Sequence, residues 1–178
     1  MKISAQTYVI SDHHFFHKNI VQYAQRPVDH MEILVREHNA AVGINDKVLF
    51  LGDLTFADKE KTKLMVSRMK GTKYLILGNH DHHNDAWYQD VGFEVSESIF
   101  KVFTDGKDSY PILFTHHPVQ FLPKEYYNIH GHIHRGIKSE FALSPQHFNV
   151  SCEVLNYKPI QISTIIEKFK KDRYSGIL

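Results

Sequence analysis

The chain has a single cysteine, Cys152, in 178 residues. One thiol cannot close an intrachain disulfide, and it excludes a zinc site built on paired cysteines. An excess of one charge is missing too. Lys and Arg number 21 against 20 Asp and Glu, a formal net charge of +1. Bulk electrostatics therefore do not equip the chain to hold a long nucleic-acid duplex. No apolar run approaches the roughly 18 residues that a membrane span requires. The opening stretch, MKISAQTYVISDHH, has one lysine and a brief apolar run that stops at a polar cluster. It does not read as a secretory signal, and a cytoplasmic location is expected. Repeats, low-complexity tracts and linkers rich in Pro, Gly or Ser are absent as well. With 42% hydrophobic and 23% charged residues the composition is that of a globular protein. A chain this long buries about two-thirds of its unfolded surface, enough for a core without cross-links. One domain over 1–178 is expected.

What the sequence has in plenty is histidine, 14 residues of it. Eleven fall in four clusters: His13, His14 and His17; His80, His82 and His83; His116 and His117; His130, His132 and His134. None sits at a terminus as an affinity tag would. Grouping of this kind suits a metal site or a set of pH-sensitive surface groups, and context separates the two.

Four short apolar runs stop at polar residues. Tyr8-Val9-Ile10-Ser11 ends at Asp12, Val48-Leu49-Phe50-Leu51 at Gly52-Asp53, Tyr74-Leu75-Ile76-Leu77 at Gly78-Asn79-His80-Asp81, and Ile112-Leu113-Phe114-Thr115 at His116. Runs without alternation read as strands buried on both faces. Between them, 29–42 and 58–70 carry helical spacing, with Asp29 as an N-cap and Gly71 as a terminator. Segment 93–103 alternates loosely and is broken by a turn at 104–108. Tyr127-Asn128-Ile129-His130 and Phe148-Asn149-Val150 read as further strands, and 163–173 as a short basic helix. Alternating strands and helices predict a layered α/β fold.

Ligands in open α/β sheets bind at the carboxyl ends of strands. Here those ends deliver carboxylates, an amide and imidazoles together. Asp12-x-His14 and His132-x-His134 place pairs two residues apart, on the same side of an extended segment. Asp53 and Asn79 each follow a glycine that lets the backbone turn sharply. Asp12, His14, Asp53, Asn79, His116, His132 and His134 are seven candidate metal ligands, too many for one tetrahedral ion and suited to two ions sharing a carboxylate. Mixed oxygen and imidazole donors suit manganese, iron, zinc or nickel rather than a thiolate-selected metal.

The ordered set Asp12-x-His14, Gly52-Asp53, Gly78-Asn79-His80-Asp81, His116 and Gly131-His132-Ile133-His134 resembles the calcineurin-like metallophosphoesterase superfamily. The surrounding text, including Tyr23-Ala24-x-Arg26-Pro27, is similar to a branch of small single-domain bacterial and phage phosphoesterases. The resemblance implies a four-layer αββα sandwich. It implies two divalent ions, with manganese expected. Asp12, His14, Asp53 and His134 would hold the first, and Asp53, Asn79, His116 and His132 the second. It further implies attack on phosphorus by a hydroxide that bridges the ions, with His80 as general acid and Asp81 fixing its tautomer. Asn79, His17, His117 and Arg26 are candidate substrate contacts; for Arg26 a structural salt bridge is the preferred reading over a phosphate grip, and for His17 packing weighs equally. His13, His82 and His83 read as rim residues, His130 as a strand residue, and His30, His38 and His147 as helix or loop residues.

The second motif departs from the protein Ser/Thr phosphatases. It runs Gly52-Asp53-Leu54-Thr55-Phe56, without the Asp-Arg-Gly continuation and its phosphate-gripping arginine. That weighs against phosphoprotein substrates. A chain too short for a large cap points to an open site and a small, nucleotide-like phosphoester, diester preferred over monoester. Two other readings stay open: a nuclease acting on nucleic-acid ends, and a non-catalytic metal-binding scaffold.

Overall fold

Each apolar run becomes a strand. A computed structural model describes residues 2–136 and 144–175. In chain order the elements are β1 (Tyr8–Ile10), α1 (Ile20–Tyr23), α2 (His30–Ala41), β2 (Lys47–Phe50), α3 (Lys59–Ser67), β3 (Thr72–Ile76), α4 (Asp85–Val91), β4 (Phe93–Ser96), β5 (Ile99–Asp105), β6 (Asp108–Thr115), β7 (Tyr127–His130), β8 (His147–Asn149), β9 (Ile160–Gln161) and α5 (Ile162–Tyr174). One sheet has the order β4-β3-β2-β1-β9 and the other β5-β6-β7-β8. In the first sheet β1 to β4 are parallel and β9 is antiparallel to β1. In the second, only the β5–β6 hairpin is antiparallel.

Two apolar layers follow from this. Val9, Leu49, Leu51 and Ile76 of the first sheet meet Tyr110, Ile112, Phe114 and Ile129 of the second, and Ile162, Ile165 and Phe169 of α5 join the same cluster. On the opposite face of the first sheet, Ile10, Val48, Phe50 and Leu75 pack against Leu34 and Val35 of α2, Met65 and Val66 of α3, and Tyr88 and Val91 of α4. The result is the expected mixed α/β architecture, with two sheets and five helices among the described residues. Burial on both faces holds for β1, β2 and the distal half of β3. It does not hold for β6, which alternates buried and half-buried residues, because only Tyr110, Ile112 and Phe114 face the layer between the sheets. Among the described residues no helix is long and apolar enough to cross a membrane.

Two helix ends differ from the sequence reading. Asp29 makes no side-chain cap bond; the turn instead closes through the His30 amide donating to the Pro27 carbonyl at 3.1 Å. The segment 58–70 is helical only to Ser67, because Arg68 and Met69 donate to carbonyls three residues back and the last turn tightens. Gly71, at φ +85, then turns the chain into β3, where a Cβ would lie 2.9 Å from the Asp46 carbonyl oxygen.

His38 shows what an internal imidazole does to this fold. It is fully buried on α2, with Nε2 2.9 Å from the Lys70 carbonyl oxygen. A carbonyl only accepts, so Nε2 carries the proton. Nδ1 is left without a partner, and burial pushes the pKa down to about 4. Unfolded chains take up this proton near pH 6.5 and the folded chain only near 4, so stability is full above 6.5 and lost as pH falls through that window. The loss is about 3 kcal/mol from this group, discounting nothing for screening in so buried a position. Urea midpoints measured from pH 7 to 4 should therefore fall less steeply for His38→Gln, which keeps a donor for Lys70, than for the parent. Equal slopes would show that His38 does not titrate this way.

Candidate metal centre

The loops that follow β1, β2, β3, β6 and β7 meet at one edge of the two sheets. They are zipped together by backbone bonds. Asp12 donates its amide to Gly52, His14 to Asp53 and Phe15 to Leu54, at 2.9–3.0 Å, and the Gly131 amide reaches the His116 carbonyl at 2.9 Å. All seven residues read as ligands sit on these loops. Five of them, Asp12, His14, Asp53, His132 and His134, have φ between +48° and +71°. Left-handed backbone at non-glycine residues is costly and persists only where the surroundings over-determine it. It also corrects the reasoning from extended segments: Asp12 and His14 approach one another through left-handed turns, not through the two-residue period of a strand.

The glycines before these residues serve close approach. A Cβ on Gly78 would lie 2.2 Å from Asp53 Oδ1, and one on Gly131 2.0 Å from Ser11 Oγ and 2.5 Å from Asp12 Oδ2. Only Gly52, at φ +90, combines the turn with crowding, its Cβ position being 2.6 Å from Gly78 Cα and His116 Nδ1. For Gly78 the expected sharp turn is therefore replaced by a steric reason.

Donor atoms converge in three groups, each with its atoms within 4.8 Å of one another: Asp12, His14 and His134; Asp12, Asp53 and His116; and His116, His117 and His132. Asp53 Oδ2 stands 3.5 Å from His14 Nε2 and 3.4 Å from His116 Nε2, a position between the two imidazoles. Its other oxygen accepts the His80 amide at 2.9 Å. Asp12 is held by the His132 amide at 3.0 Å, and His134 Nε2 comes within 4.0 Å of it. Asn79 Oδ1 lies 2.9 Å from His116 Nε2. His132 and His134 thus fall into different groups and do not act as one chelating pair.

Tautomers follow from the outer partners. His116 Nδ1 donates to the Leu51 carbonyl at 2.7 Å, leaving Nε2 aimed into the site. Burial opposes charge on His116, but the Asp53 and Asp12 carboxylates outweigh it and hold its pKa up at about 9. Burial would raise Asp53; the His116 hydrogen bond and charge win and hold it low. Asp12, wholly buried, is pushed up. Burial pushes His14 down to about 3, and both of its ring nitrogens are buried without a hydrogen-bond partner. A buried acceptor left unpaired costs about 1–3 kcal/mol. A cation is the ligand that would complete this set of carboxylate, amide and imidazole donors.

Three residues turn into the protein, Arg26 in the preferred reading and Asp81 and His13 against theirs. Arg26 does not face the site's mouth. It is buried, with Nε 2.5 Å from Glu153, Nη1 2.6 Å from the His13 carbonyl and Nη2 2.6 Å from the Asp12 carbonyl. With its side chain wholly buried among these partners, Arg26 is a structural ion pair and does not reach a phosphate at the mouth. Asp81 is buried and accepts from the amides of Asp53 at 2.7 Å, Gly78 at 2.8 Å and Leu54 at 3.0 Å. It ties two ligand loops together; the tautomer-fixing role beside His80 is not what its carboxylate does. His13 is no rim residue. It is 1% exposed and packs its ring 4.7 Å from that of Phe50.

His80, Asn79 and His117 are exposed at the mouth, and the His117 ring is 4.0 Å from that of His132. His17 is half-buried and meets Phe56 edge-on at 4.3 Å. Two residues escaped the sequence reading. Glu153, 1% exposed, takes the Nδ1–H of His134 at 3.1 Å as well as Arg26. Phe56, 45% exposed, lies with its ring 5.6 Å from that of His14 and 5.2 Å from that of His80. A lone Glu after Cys152 carries no spacing signal, and an exposed Phe announces nothing in a sequence with 12 of them.

The calcineurin-like phosphoesterase family pattern matches residues 5–172. The uncharacterized protein MJ1445 of Methanocaldococcus jannaschii is 30% identical over 177 residues, covering 93% of this chain and 92% of that protein. Among solved structures, the protein of unknown function AQ665 from Aquifex aeolicus superposes with a TM-score of 0.67 at 23% identity, covering 90% of this chain and 97% of the other. Pseudomonas putida nuclease MPE is more distant, with a TM-score of 0.48 and 16% identity over 73% of this chain and 62% of its own.

Proposed function

The chain belongs to the calcineurin-like phosphoesterase family, and from that premise we propose that it is a dinuclear, metal-dependent hydrolase of phosphodiester bonds in small, nucleotide-like substrates. The observation that carries the reading is the convergence of three donor groups on one sheet edge. Asp12, His14, Asp53 and His134 would hold one cation, and Asp53, Asn79, His116 and His132 the other. Manganese is the expected metal, with iron, zinc and nickel as alternatives. Bound divalent cations supply the charge that neutralises a phosphate and brings the pKa of a water near neutrality.

The chain's own groups do the rest. The Leu51 carbonyl and the Glu153 carboxylate each take an Nδ1–H, so that a bound cation displacing the Nε2 proton would meet the Nε2 lone pairs of His116 and His134. The Asn79 side-chain amide donates to a phosphate oxygen. His80, exposed and tethered through its amide to Asp53, hands a proton to the departing oxygen. His17 and His117 flank the ester on either side.

Chelation followed by manganese addition tests this. The expected result is about two ions per chain and hydrolysis of bis-p-nitrophenyl phosphate that disappears with chelator and returns with metal. Ion content well below one per chain would refute the proposal, bound metal without turnover would favour the scaffold, and turnover indifferent to chelator would refute metal dependence.

A further inference from the structure

A row of rings stands beside His14 at the candidate metal centre. Phe56, an apolar residue, is 45% exposed there. Its ring lies 5.6 Å from that of the buried His14 and within 26° of parallel to it. The ring of His17 meets it edge-on at 4.3 Å, and that of His80 lies 5.2 Å away. Tyr23, 71% exposed, follows His17 with its ring at 6.1 Å. Apolar side chains exposed singly are ordinary, but exposed rings in contact with one another beside a site mark a place for a ligand.

Hydrogen bonds that do not involve the ring fix the position of Phe56. Its amide donates to the Phe15 carbonyl at 2.8 Å, and Thr55 forms a parallel bridge with Phe15. Thr55 Oγ1 lies 3.1 Å from Thr62 Oγ1 and accepts the Ala57 amide at 3.2 Å. Asp58 then caps α3 by accepting the Lys61 amide at 2.9 Å. None of these bonds needs an aromatic side chain at position 56. They hold the ring in place, so covering it costs little further ordering. Aromatic groups gain from edge-to-face or offset contact beyond the area they bury, and a nucleobase offers a π-face whatever its sequence identity. We propose that Phe56 is a specificity-determining residue that takes a planar aromatic arm of the ester, such as a nucleobase, with His17 and Tyr23 beside it. The inference rests on the phosphodiesterase reading and deepens it: esters with an aromatic arm are preferred to those with an aliphatic arm of like size.

Unhydrolysable analogues read this without turnover. The manganese-loaded full chain is titrated by calorimetry with the methyl esters of benzylphosphonate and of cyclohexylmethylphosphonate. The two share charge and reach and differ in the ring. The parent should bind the benzyl compound about tenfold more tightly. Phe56→Leu keeps an apolar side chain and should bind the two within about twofold of one another, at unchanged manganese content. Phe56→Tyr should retain the preference. A parent that binds neither compound, or both equally, would overturn the inference, and so would a preference that survives in Phe56→Leu. Loss of manganese and of both compounds together in Phe56→Leu would overturn it too, because the ring would then serve His14 and not the arm. Failure of the phosphodiesterase reading is distinct. It shows as absent manganese-dependent hydrolysis of benzyl methyl phosphate by a chain that still prefers the benzyl compound.

Discussion

Replacing His80 with Asn should lower kcat on a diester with an alkyl leaving group by about 10²–10³-fold, and on a p-nitrophenyl ester by less than about tenfold. The asymmetry is the content of the prediction. An alkoxide is a poor leaving group unless it is protonated as the P–O bond breaks, whereas p-nitrophenolate departs as a stable anion. A general acid is therefore worth most where the leaving group is worst. The structure makes His80 suitable for this test because its side chain is exposed at the mouth, and its hold on the site runs through the backbone amide, which donates to Asp53 at 2.9 Å. An Asn side chain keeps that amide and removes the imidazole ring. Manganese content should stay at the parent level and KM should move little. Equal losses on both esters, or a fall in bound metal, would show that His80 supports the site and is not a proton donor.

The strand ends were legible because they require little tertiary knowledge. Apolar runs that stop at Asp12, Asp53, Asn79 and His116 place those residues at the carboxyl edge of a parallel sheet whatever the loop details are, and the three donor groups form there. Loop conformation was not legible. His13 was assigned to the rim by alternation, but alternation assumes extended backbone, and Asp12 and His14 on either side have φ of 60° and 48°. The turn folds the His13 ring onto Phe50 instead. Charge was legible and its direction was not. Arg26 and Asp81 both stand close in sequence to candidate site residues, yet each points into the protein to satisfy backbone groups that the ligand loops leave over. Loops with so much left-handed backbone have few regular partners for their amides and carbonyls, and buried backbone polar groups must be paired by something. Charged side chains beside the ligand residues are drawn in to do it.

Glu153 shows the limit most clearly, and it supports the second large expected effect. The Ser11–Ser151 bridge brings the segment after β8 beside the ligand loop after β1, and no local pattern in either segment foretells the pairing. Arg26 and Glu153 meet there with both side chains wholly buried. Burial would raise the Glu153 pKa, but the hydrogen bond from His134 and the charge of Arg26 outweigh it and bring it down to about 2. Arg26→Met leaves that carboxylate without its cation and strips donors from the Asp12 and His13 carbonyls as well. Removing one partner of a buried pair costs about 3–5 kcal/mol, and urea unfolding of the metal-free variant should show a loss of that size. Glu153→Gln acts elsewhere. It retains an oxygen for Arg26 and His134 but no longer draws the Nδ1 proton with a full charge, so manganese affinity should weaken by about 10–100-fold. The double variant separates the two effects. It removes both charges together, so it should be more stable than Arg26→Met while binding manganese as poorly as Glu153→Gln. A double variant no more stable than Arg26→Met would mean that the arginine acts through the two carbonyls alone. Stability restored together with full manganese affinity would mean that Glu153 does not set the His134 tautomer.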